Sequence, residues 1–200
     1  MPSIYQLKPA FQNALRPGVG WLARTGVTAN QVTLAACGLS FAVGGLLALF
    51  PAVPRLFWVV PPLLFVRMAL NAIDGMLARE HGMQTALGAV LNELTDVLAD
   101  GALYLPFALA PGVGAGWIVI VVLLGVIAEM TGVIGAQIGA SRRYDGPFGK
   151  SDRAVFFGAL SVLIALEAPL AGWLGYLLAA AALLGALTIV NRARHALREL

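Results

Sequence analysis

Charged residues are scarce in this chain. Of its 200 residues, only 12% are Asp, Glu, Lys or Arg, whereas 60% are apolar. Soluble domains carry about 25% charged and about 45–50% apolar residues, so this chain has about half the charge that a water-facing surface needs. The mean hydropathy of +0.85 agrees with this imbalance. The composition excludes an ordinary soluble globule and predicts an integral membrane protein.

Other absences narrow the class further. The single cysteine, Cys37, excludes an intrachain disulfide. There is no basic tract with interleaved aromatic residues, so nucleic acid is not an expected partner, and the net charge of +3 suits a surface of anionic lipid instead. Residues 1–30 contain no continuous apolar stretch of the kind that a signal peptide needs.

Apolar runs divide the rest of the chain. About 20 apolar residues cross a bilayer core of roughly 30 Å as a helix, so the predicted fold is all-α with six transmembrane helices. The predicted spans are 31–52, 56–79, 85–110, 113–139, 153–168 and 170–190. We expect one membrane domain with an interfacial amphipathic helix in 1–30, a six-helix bundle over 31–190 and a cytoplasmic tail at 191–200.

The distribution of basic residues predicts the orientation. With the N-terminus in the cytoplasm, eleven cations fall on the cytoplasmic side and only Arg55 falls outside. The eleven are Lys8, Arg16, Arg24, Arg79, Arg142, Arg143, Lys150, Arg153, Arg192, Arg194 and Arg198. The positive-inside rule therefore predicts an inner-membrane protein with both termini in the cytoplasm.

Half of the acidic residues fall at membrane depth, where an unpaired charge costs several kcal/mol. These are Asp74, Glu93, Asp96, Asp100 and Glu129. At 100° per residue, two polar stripes form on consecutive helices, one of Asn71, Asp74 and Ala78 and one of Asn92, Glu93, Asp96 and Asp100. Antiparallel neighbours joined by a short turn are expected to bring these stripes together.

Converging carboxylates repel one another, and a hard divalent cation with oxygen ligands neutralises them. The stripes therefore predict a Mg²⁺ or Mn²⁺ site near the cytoplasmic surface of the membrane. An acid-lined pathway for ions or protons, with no bound metal, is the alternative at this point.

The run Asp74-Gly75-x2-Ala78-Arg79, then eight residues, then Gly88-x3-Asn92-x3-Asp96, resembles the signature of the CDP-alcohol phosphatidyltransferase family. That signature has two aspartates three apart, the second opening DGxxAR, then G-x3-D-x3-D. The segment from Thr28 to Thr33 also resembles the family's P-N-x-x-T, with Ala29 in place of proline. Members have six spans preceded by an interfacial helix and are typically homodimers.

The resemblance implies transfer of a substituted phosphoryl group from a CDP-alcohol, most often CDP-diacylglycerol, to an alcohol with release of CMP. It implies that Asp96 is the general base and a neighbour of the metal, and that Asp74 is a metal ligand. The residues it implies for the nucleotide and its diphosphate are Asp74, Gly75, Ala78, Arg79, Gly88, Asn30 and Thr33. Membrane lipids are the further expected partners, and the acceptor alcohol is not identified.

Two positions depart from the family pattern. Asn71 and Asn92 stand where aspartates are expected, so four motif acids become two. Asparagine ligates through its carbonyl oxygen but brings no charge. We hypothesise that Glu93 and Asp100 restore the count; otherwise the protein binds one metal, or is a non-catalytic relative that binds CDP-lipid or metal, or a small membrane transporter.

Arg67 offers a competing role for Asp100. It lies seven residues before Asp74, about 10.5 Å deeper along the same stripe. A buried Arg67–Asp100 pair would satisfy both groups and leave Asp100 structural. The sequence leaves both roles open.

The segment from Ser141 to Arg153 is a basic loop just before the fifth predicted span. Topogenic charge is one interpretation. Binding of an anionic acceptor or headgroup is the other, because Gly-Lys-Ser-Asp-Arg opens a helix whose N-terminus favours anions. The candidates are Lys150, Arg153, Arg142 and Arg143. Elsewhere, Glu129 is expected in the bundle interior, and His81 and His195 at the solvated surface.

Overall fold

The computed structural model describes residues 4–200, with side chains from Pro9 onward, so the side chain of Lys8 lies outside the described residues. Every regular element in that range is helical. The long helices are α1 (Ile4–Arg24), α2 (Ala29–Leu49), α3 (Val60–Glu80), α4 (Ala86–Tyr104), α5 (Ala115–Gln137), α6 (Lys150–Ala165) and α7 (Leu174–Arg198). Short 3₁₀ turns at Pro54–Val59 and Leu105–Leu109 precede α3 and follow α4.

Each predicted span contains a helix, but the described residues include four that are long and apolar enough to cross a membrane. These are Ala29–Leu49, Pro54–Glu80, Ala115–Gln137 and Leu174–Arg198. Two helices fall short for different reasons: α4 carries three acids in 19 residues, and α6 has only 16 residues. The all-helical fold and the membrane character are confirmed.

Contacts divide the chain into two compact units, and the first comprises residues 1–40 and 62–99. Its core packs Val19 of α1 against Val32 of α2 and Met76 and Leu77 of α3. At one end of this packing, Arg16 donates two hydrogen bonds of 3.0 and 3.2 Å to the Glu80 carboxylate. Helix α1 is thus tied to α3, the helix that carries the DGxxAR run.

The start of α2 follows from two side chains. The Thr28 amide donates to Gln31 Oε1 at 2.9 Å, and the Gln31 amide donates to Thr28 Oγ1 at 3.3 Å. This reciprocal capping satisfies two amides that the first helical turn leaves without intrahelical acceptors. It sets the register that places Asn30 and Thr33 in the first turns of α2.

The second unit comprises residues 41–61 and 100–200 and has an aromatic core. Tyr104 and Phe157 stack with ring centroids 4.1 Å apart, and Phe107 meets Phe57 and Phe157 edge-on at 5.2 Å. These rings are almost wholly buried. Offset-stacked and edge-on arrangements are the favoured geometries of aromatic pairs, so this cluster fixes α6 against the chain around the two 3₁₀ turns.

The last turns of α7 hold the loop that joins α5 to α6. Thr188 Oγ1 accepts from the Phe148 amide at 2.9 Å, and Glu199 accepts from the Ser141 amide at 2.6 Å. His195 Nδ1 contacts Asp145 Oδ2 at 2.5 Å. His195 lies at the surface, as expected, with 43% of its side chain exposed, and its ring also contacts the loop. Helix α7 runs through Arg198, eight residues past the predicted span, because these polar turns have partners.

We predict that Gly44→Ala destabilises the second unit. A Cβ at Gly44 would overlap the carbonyl oxygen of Ala102, a backbone atom that cannot rotate away. Overpacking of this kind costs about 1–3 kcal/mol. Thermal unfolding in lipid nanodiscs should show a lower midpoint. Gly45→Ala is the matched control, since no described heavy atom outside its own helix lies within 4 Å of a Cβ there; equal midpoints for both variants would contradict the close approach.

We also predict a pH-dependent contribution from Glu199. Hydrogen bonds from the Ser141 amide and hydroxyl, together with Arg143, hold the pKa of this carboxylate below its usual range. A lowered pKa means that the stabilisation is present at neutral pH and is lost as the pH falls through the lowered value. Glu199→Gln should lower the unfolding midpoint at pH 7, and its difference from wild type should vanish in strong acid. A difference that persists there would point to packing rather than charge.

Candidate functional site

A cavity of about 390 Å³ opens in the first unit between the start of α2, the end of α3 and the start of α4. Charged and polar side chains share its wall with small residues. The lining residues are Ala29, Asn30, Thr33, Asp74, Gly75, Ala78, Arg79, Met83, Gln84, Thr85, Gly88, Ala89 and Asn92. The two predicted stripes therefore meet here only in part, through Asp74 and Ala78 of α3 and Asn92 of α4, and α2 closes the third side.

Asp74 is the buried acid of this cavity, with 6% of its surface exposed. The Thr33 hydroxyl lies 2.8 Å from Asp74 Oδ2 and 3.1 Å from the carbonyl oxygen of Ala29, one turn back on α2. The hydroxyl can donate its proton to either acceptor. Because Thr33 is itself fixed to α2, its contact orients the Asp74 carboxylate towards the cavity.

Two glycines make room for longer side chains. A Cβ at Gly75 would lie 2.9 Å from Arg79 Nη2, so the guanidinium folds back over the bare backbone one turn earlier on α3. A Cβ at Gly88 would lie 2.8 Å from Asn30 Oδ1. Both distances are shorter than a side chain tolerates, so glycine at these positions lets a cation and an amide enter the cavity wall.

The predicted site residues do not all gather here. Eight of them line the cavity: Asn30, Thr33, Asp74, Gly75, Ala78, Arg79, Gly88 and Asn92. Three others, Asn71, Glu93 and Asp96, are partly buried in the same unit but are not among its lining residues. Asp96 and Arg67 both lie within electrostatic reach of Cys37, one turn further along α2 than Thr33. Asp100 belongs to the second unit.

The donor atoms of the cavity suit a hard cation only in part. Within residues 4–200, no three His, Cys, Asp or Glu side chains come together as a metal site. The cavity offers the Asp74 carboxylate, the amide oxygens of Asn30 and Asn92, and the Thr33 hydroxyl. Mg²⁺ is usually held by one or two carboxylates with waters and substrate phosphates completing its shell. The cavity residues thus fit a divalent cation whose remaining ligands are oxygens of a bound phosphate.

A second polar cluster lies in the second unit around Glu129 of α5. This buried carboxylate binds three arginines, with distances of 3.1 Å to Arg142, 3.0 Å to Arg153 and 3.3 Å to Arg192. Arg153 also donates to Asp100 at 3.2 Å. Glu129 is therefore interior and bonded, as expected, while Asp100 has an arginine partner that the sequence analysis did not suggest.

One atom in this cluster lacks a partner. Arg153 is 3% exposed, yet its Nη1 has no hydrogen-bond acceptor in the described part of the chain. A buried donor left unsatisfied costs about 1–3 kcal/mol, and more when it is charged. The geometry is consistent with a ligand that brings an acceptor oxygen to this atom.

The other basic candidates differ in their surroundings. Arg143 bonds the carboxylates of Asp145 and Glu199, so its charge is already matched. Lys150 is partly buried at the first residue of α6, whose opening turn is closed by the Gly149 amide donating to Asp152 at 2.9 Å. The predicted helix start at this basic segment is confirmed.

The sequence analysis named Arg192 as a cytoplasmic cation but not as a partner of Glu129, and it did not identify the glycines that make room for the arginines. A Cβ at Gly125 would press on Arg153, and one at Gly132 would overlap Arg142. These glycines flank Glu129 at i−4 and i+3, the spacing of one helix face. That spacing is the signal that could have revealed a groove for long cations beside the acid.

Comparison with known proteins agrees with these residues. Residues 26–190 match the sequence model of the CDP-alcohol phosphatidyltransferase family. The chain is 46% identical over 195 residues to the inner membrane protein YnbA of Escherichia coli K12, covering 98% of this chain and 96% of the relative. It is 38% identical over 105 residues to the phosphatidylinositol phosphate synthase of Mycolicibacterium smegmatis, about half of each chain (52% and 46%).

Solved structures share the fold. The Mycobacterium tuberculosis phosphatidylinositol phosphate synthase in complex with manganese and citrate superposes with a TM-score of 0.73 at 22% identity, covering 90% of this chain and 87% of that one. The same enzyme with CDP-DAG bound gives a TM-score of 0.68 at 21% identity, covering 92% and 91%. At sequence identities this low, the superpositions show a shared fold only.

The family match spans most of the chain and includes the motif residues that line the cavity. The resemblance drawn from residues 74–96 is therefore confirmed. The chain belongs to the CDP-alcohol phosphatidyltransferase family, the metal-dependent enzymes of phospholipid synthesis that transfer a substituted phosphoryl group from a CDP-alcohol and release CMP.

Proposed function

We propose that this protein transfers the phosphatidyl group of CDP-diacylglycerol to a phosphorylated polyol. The observation that carries the proposal is the cavity that gathers the DGxxAR residues with Asn30, Gly88 and Asn92. The solved relative with CDP-DAG bound supports the choice of donor. The relatives named phosphatidylinositol phosphate synthases support a phosphorylated acceptor.

In this proposal, the cavity of the first unit holds the nucleotide and its diphosphate. Arg79 offers a planar pair of donors to phosphate oxygens, and Gly75 and Gly88 let the nucleotide approach the backbone. Asp74, oriented by Thr33, provides the charged ligand for a divalent cation. A bound cation would neutralise the charge that develops on the departing CMP.

Asp96 is the residue we assign as general base. The hydroxyl oxygen of the acceptor forms a bond to the phosphatidyl phosphorus, the bond from that phosphorus to CMP breaks, and the hydroxyl proton passes to the Asp96 carboxylate. A general base typically accelerates such a transfer by about 10²–10⁴-fold. Glu93 and Asn71 share the unit with Asp96 and are proposed to shape its surroundings rather than to carry the proton.

The arginine cluster of the second unit is the proposed binding site for the acceptor phosphate. Arg142, Arg153 and Arg192 outnumber the two acids that they contact, and Arg153 Nη1 has no acceptor within residues 4–200. The surplus is one positive charge, which attracts a phosphate monoester, and the phosphate also brings acceptor oxygens. Lys150 adds a further cation at the first turn of α6.

We further propose the topology that the sequence predicts. All of α2 to α7 cross the inner membrane, with both termini in the cytoplasm, on the side where the eleven cations are predicted to lie. Helix α1 lies in the interface; its exposed Trp21 and Arg24 suit that position. A homodimer is proposed from the family resemblance.

The second candidate function is a relative that binds CDP-lipid or metal without turnover, or a small transporter. The specific observation behind it is the replacement of two motif acids by Asn71 and Asn92. It leaves Asp74 as the one acid among the residues that line the cavity. Only the release of CMP separates this candidate from the enzyme.

The direct test is CMP release from CDP-diacylglycerol by purified protein in nanodiscs, with phosphorylated and unphosphorylated polyols supplied separately. We expect release that requires Mg²⁺ or Mn²⁺, with mass spectrometry of the lipid naming the acceptor. Asp96→Asn should lower the rate at least 100-fold by removing the base. Binding of CDP-diacylglycerol without CMP release, for any acceptor, would establish the non-catalytic alternative.

The acceptor assignment predicts a selective effect of Arg153→Lys. Lysine keeps the charge but lacks the planar pair of guanidinium donors that can bind two phosphate oxygens. The KM for the phosphorylated acceptor should therefore rise about tenfold, while the KM for CDP-diacylglycerol stays the same. Arg55→Lys, at an exposed arginine, is the matched control. A rise in both KM values, or a lower unfolding midpoint with neither KM changed, would count against acceptor binding by Arg153.

A further inference from the structure

The lining of the first-unit cavity is electrically balanced. Among its thirteen lining residues, Asp74 is the one acid and Arg79 the one base, so their formal charges sum to zero. The remaining polar groups are neutral: two asparagines, one glutamine and two threonines. The other acids of this unit, Glu93 and Asp96, are not among the lining residues, and Asp96 shares its surroundings at Cys37 with Arg67.

This balance matters for a divalent cation. The affinity of an oxygen site for such a cation is set by the number of charged ligands and by the rigidity of the site. One carboxylate, with a guanidinium in the same wall, provides little net attraction for a bare Mg²⁺ or Mn²⁺. A nucleoside diphosphate brings at least two negative charges and several oxygens, which complete the shell of the cation and also match Arg79.

We propose that the cavity binds the divalent cation and the nucleotide diphosphate as one unit, with little affinity for the cation alone. The inference rests on the proposed function, because it assumes that this cavity is the donor site. It concerns the order and coupling of binding, which the family assignment does not specify. Each ligand then raises the affinity of the other by the same factor, as linkage requires.

Asn92 is the residue that sets this coupling. Its amide lies in the cavity wall on α4, where a carboxylate of nearly the same shape would fit. A negative charge at position 92 would attract the cation in the absence of nucleotide, and it would repel the diphosphate in the absence of metal. Asparagine therefore keeps the empty cavity neutral and leaves the phosphates to supply the missing charge.

The experiment measures two equilibria in nanodiscs of uncharged lipid, which does not itself concentrate cations. Binding of Mn²⁺ without nucleotide is followed by the electron paramagnetic resonance signal of free Mn²⁺. Binding of radiolabelled CDP is followed by filtration, with and without Mn²⁺. For the wild type, we expect no saturable Mn²⁺ binding below about 1 mM and CDP binding at least tenfold tighter with Mn²⁺.

Asn92→Asp should bind Mn²⁺ alone at least tenfold more tightly than the wild type and should bind metal-free CDP more weakly. Gln31→Glu is the matched control. It also adds one negative charge, near the start of α2 but not among the lining residues, and it keeps the acceptor for the Thr28 amide. We expect the control to change both equilibria by less than twofold.

Two results would overturn the inference. One is wild-type protein that binds Mn²⁺ alone at micromolar concentration; the other is CDP binding that is unchanged by Mn²⁺. If Asn92→Asp and Gln31→Glu changed Mn²⁺ and CDP binding equally, Asn92 would not be the residue that sets the coupling. The transferase assay is separate, so coupled binding without CMP release overturns the proposed reaction alone, and CMP release without coupling overturns this inference alone.

Discussion

The second unit depends on the burial of Glu129. A carboxylate on a helix as apolar as α5 is costly unless it is paired, and three arginines from the following loop, α6 and α7 pair with it. Arg142 and Arg192 also donate to backbone carbonyls, with a distance of 2.6 Å from Arg192 to the oxygen of Ala128. One acid thereby holds together segments that are far apart in sequence.

The helices were largely predictable because membrane helices depend on long apolar runs. All six predicted ranges contain a helix, and punctuation by Pro51, Pro111 and Pro147 marks the gaps correctly. The end of α7 was not predictable in the same way. Hydropathy falls at residue 190, but the helix continues because Arg192, His195 and Glu199 find partners on a loop about 50 residues earlier, which no local pattern reveals.

For the cavity of the first unit, the sequence predicted most of the lining residues that carry the motif, but it did not predict the net charge of the lining. The motif of the family resemblance names Asp74, Gly88 and Asn92 together, and helix geometry places Gly88 and Asn92, four residues apart, on one face of α4. Spacing could not show that Asp96 lies outside the lining or that Asp100 bonds Arg153. Those outcomes depend on which side of α4 meets which neighbour, a property of packing rather than of the helix itself.

The pairing of Glu129 also has a consequence for biogenesis. Ribosomes make the chain from its N-terminus, so α5 is synthesised before Arg153 and Arg192. An acid near the middle of an inserting helix costs roughly 2.5–3.5 kcal/mol on translocon scales, and the apolar residues of α5 must offset that cost for a time without help. The mean hydropathy of α5, 2.5, is the highest of the four candidate spans. The excess apolarity of this helix thus serves insertion, and the arginines that arrive later convert a tolerated charge into the centre of the folded unit.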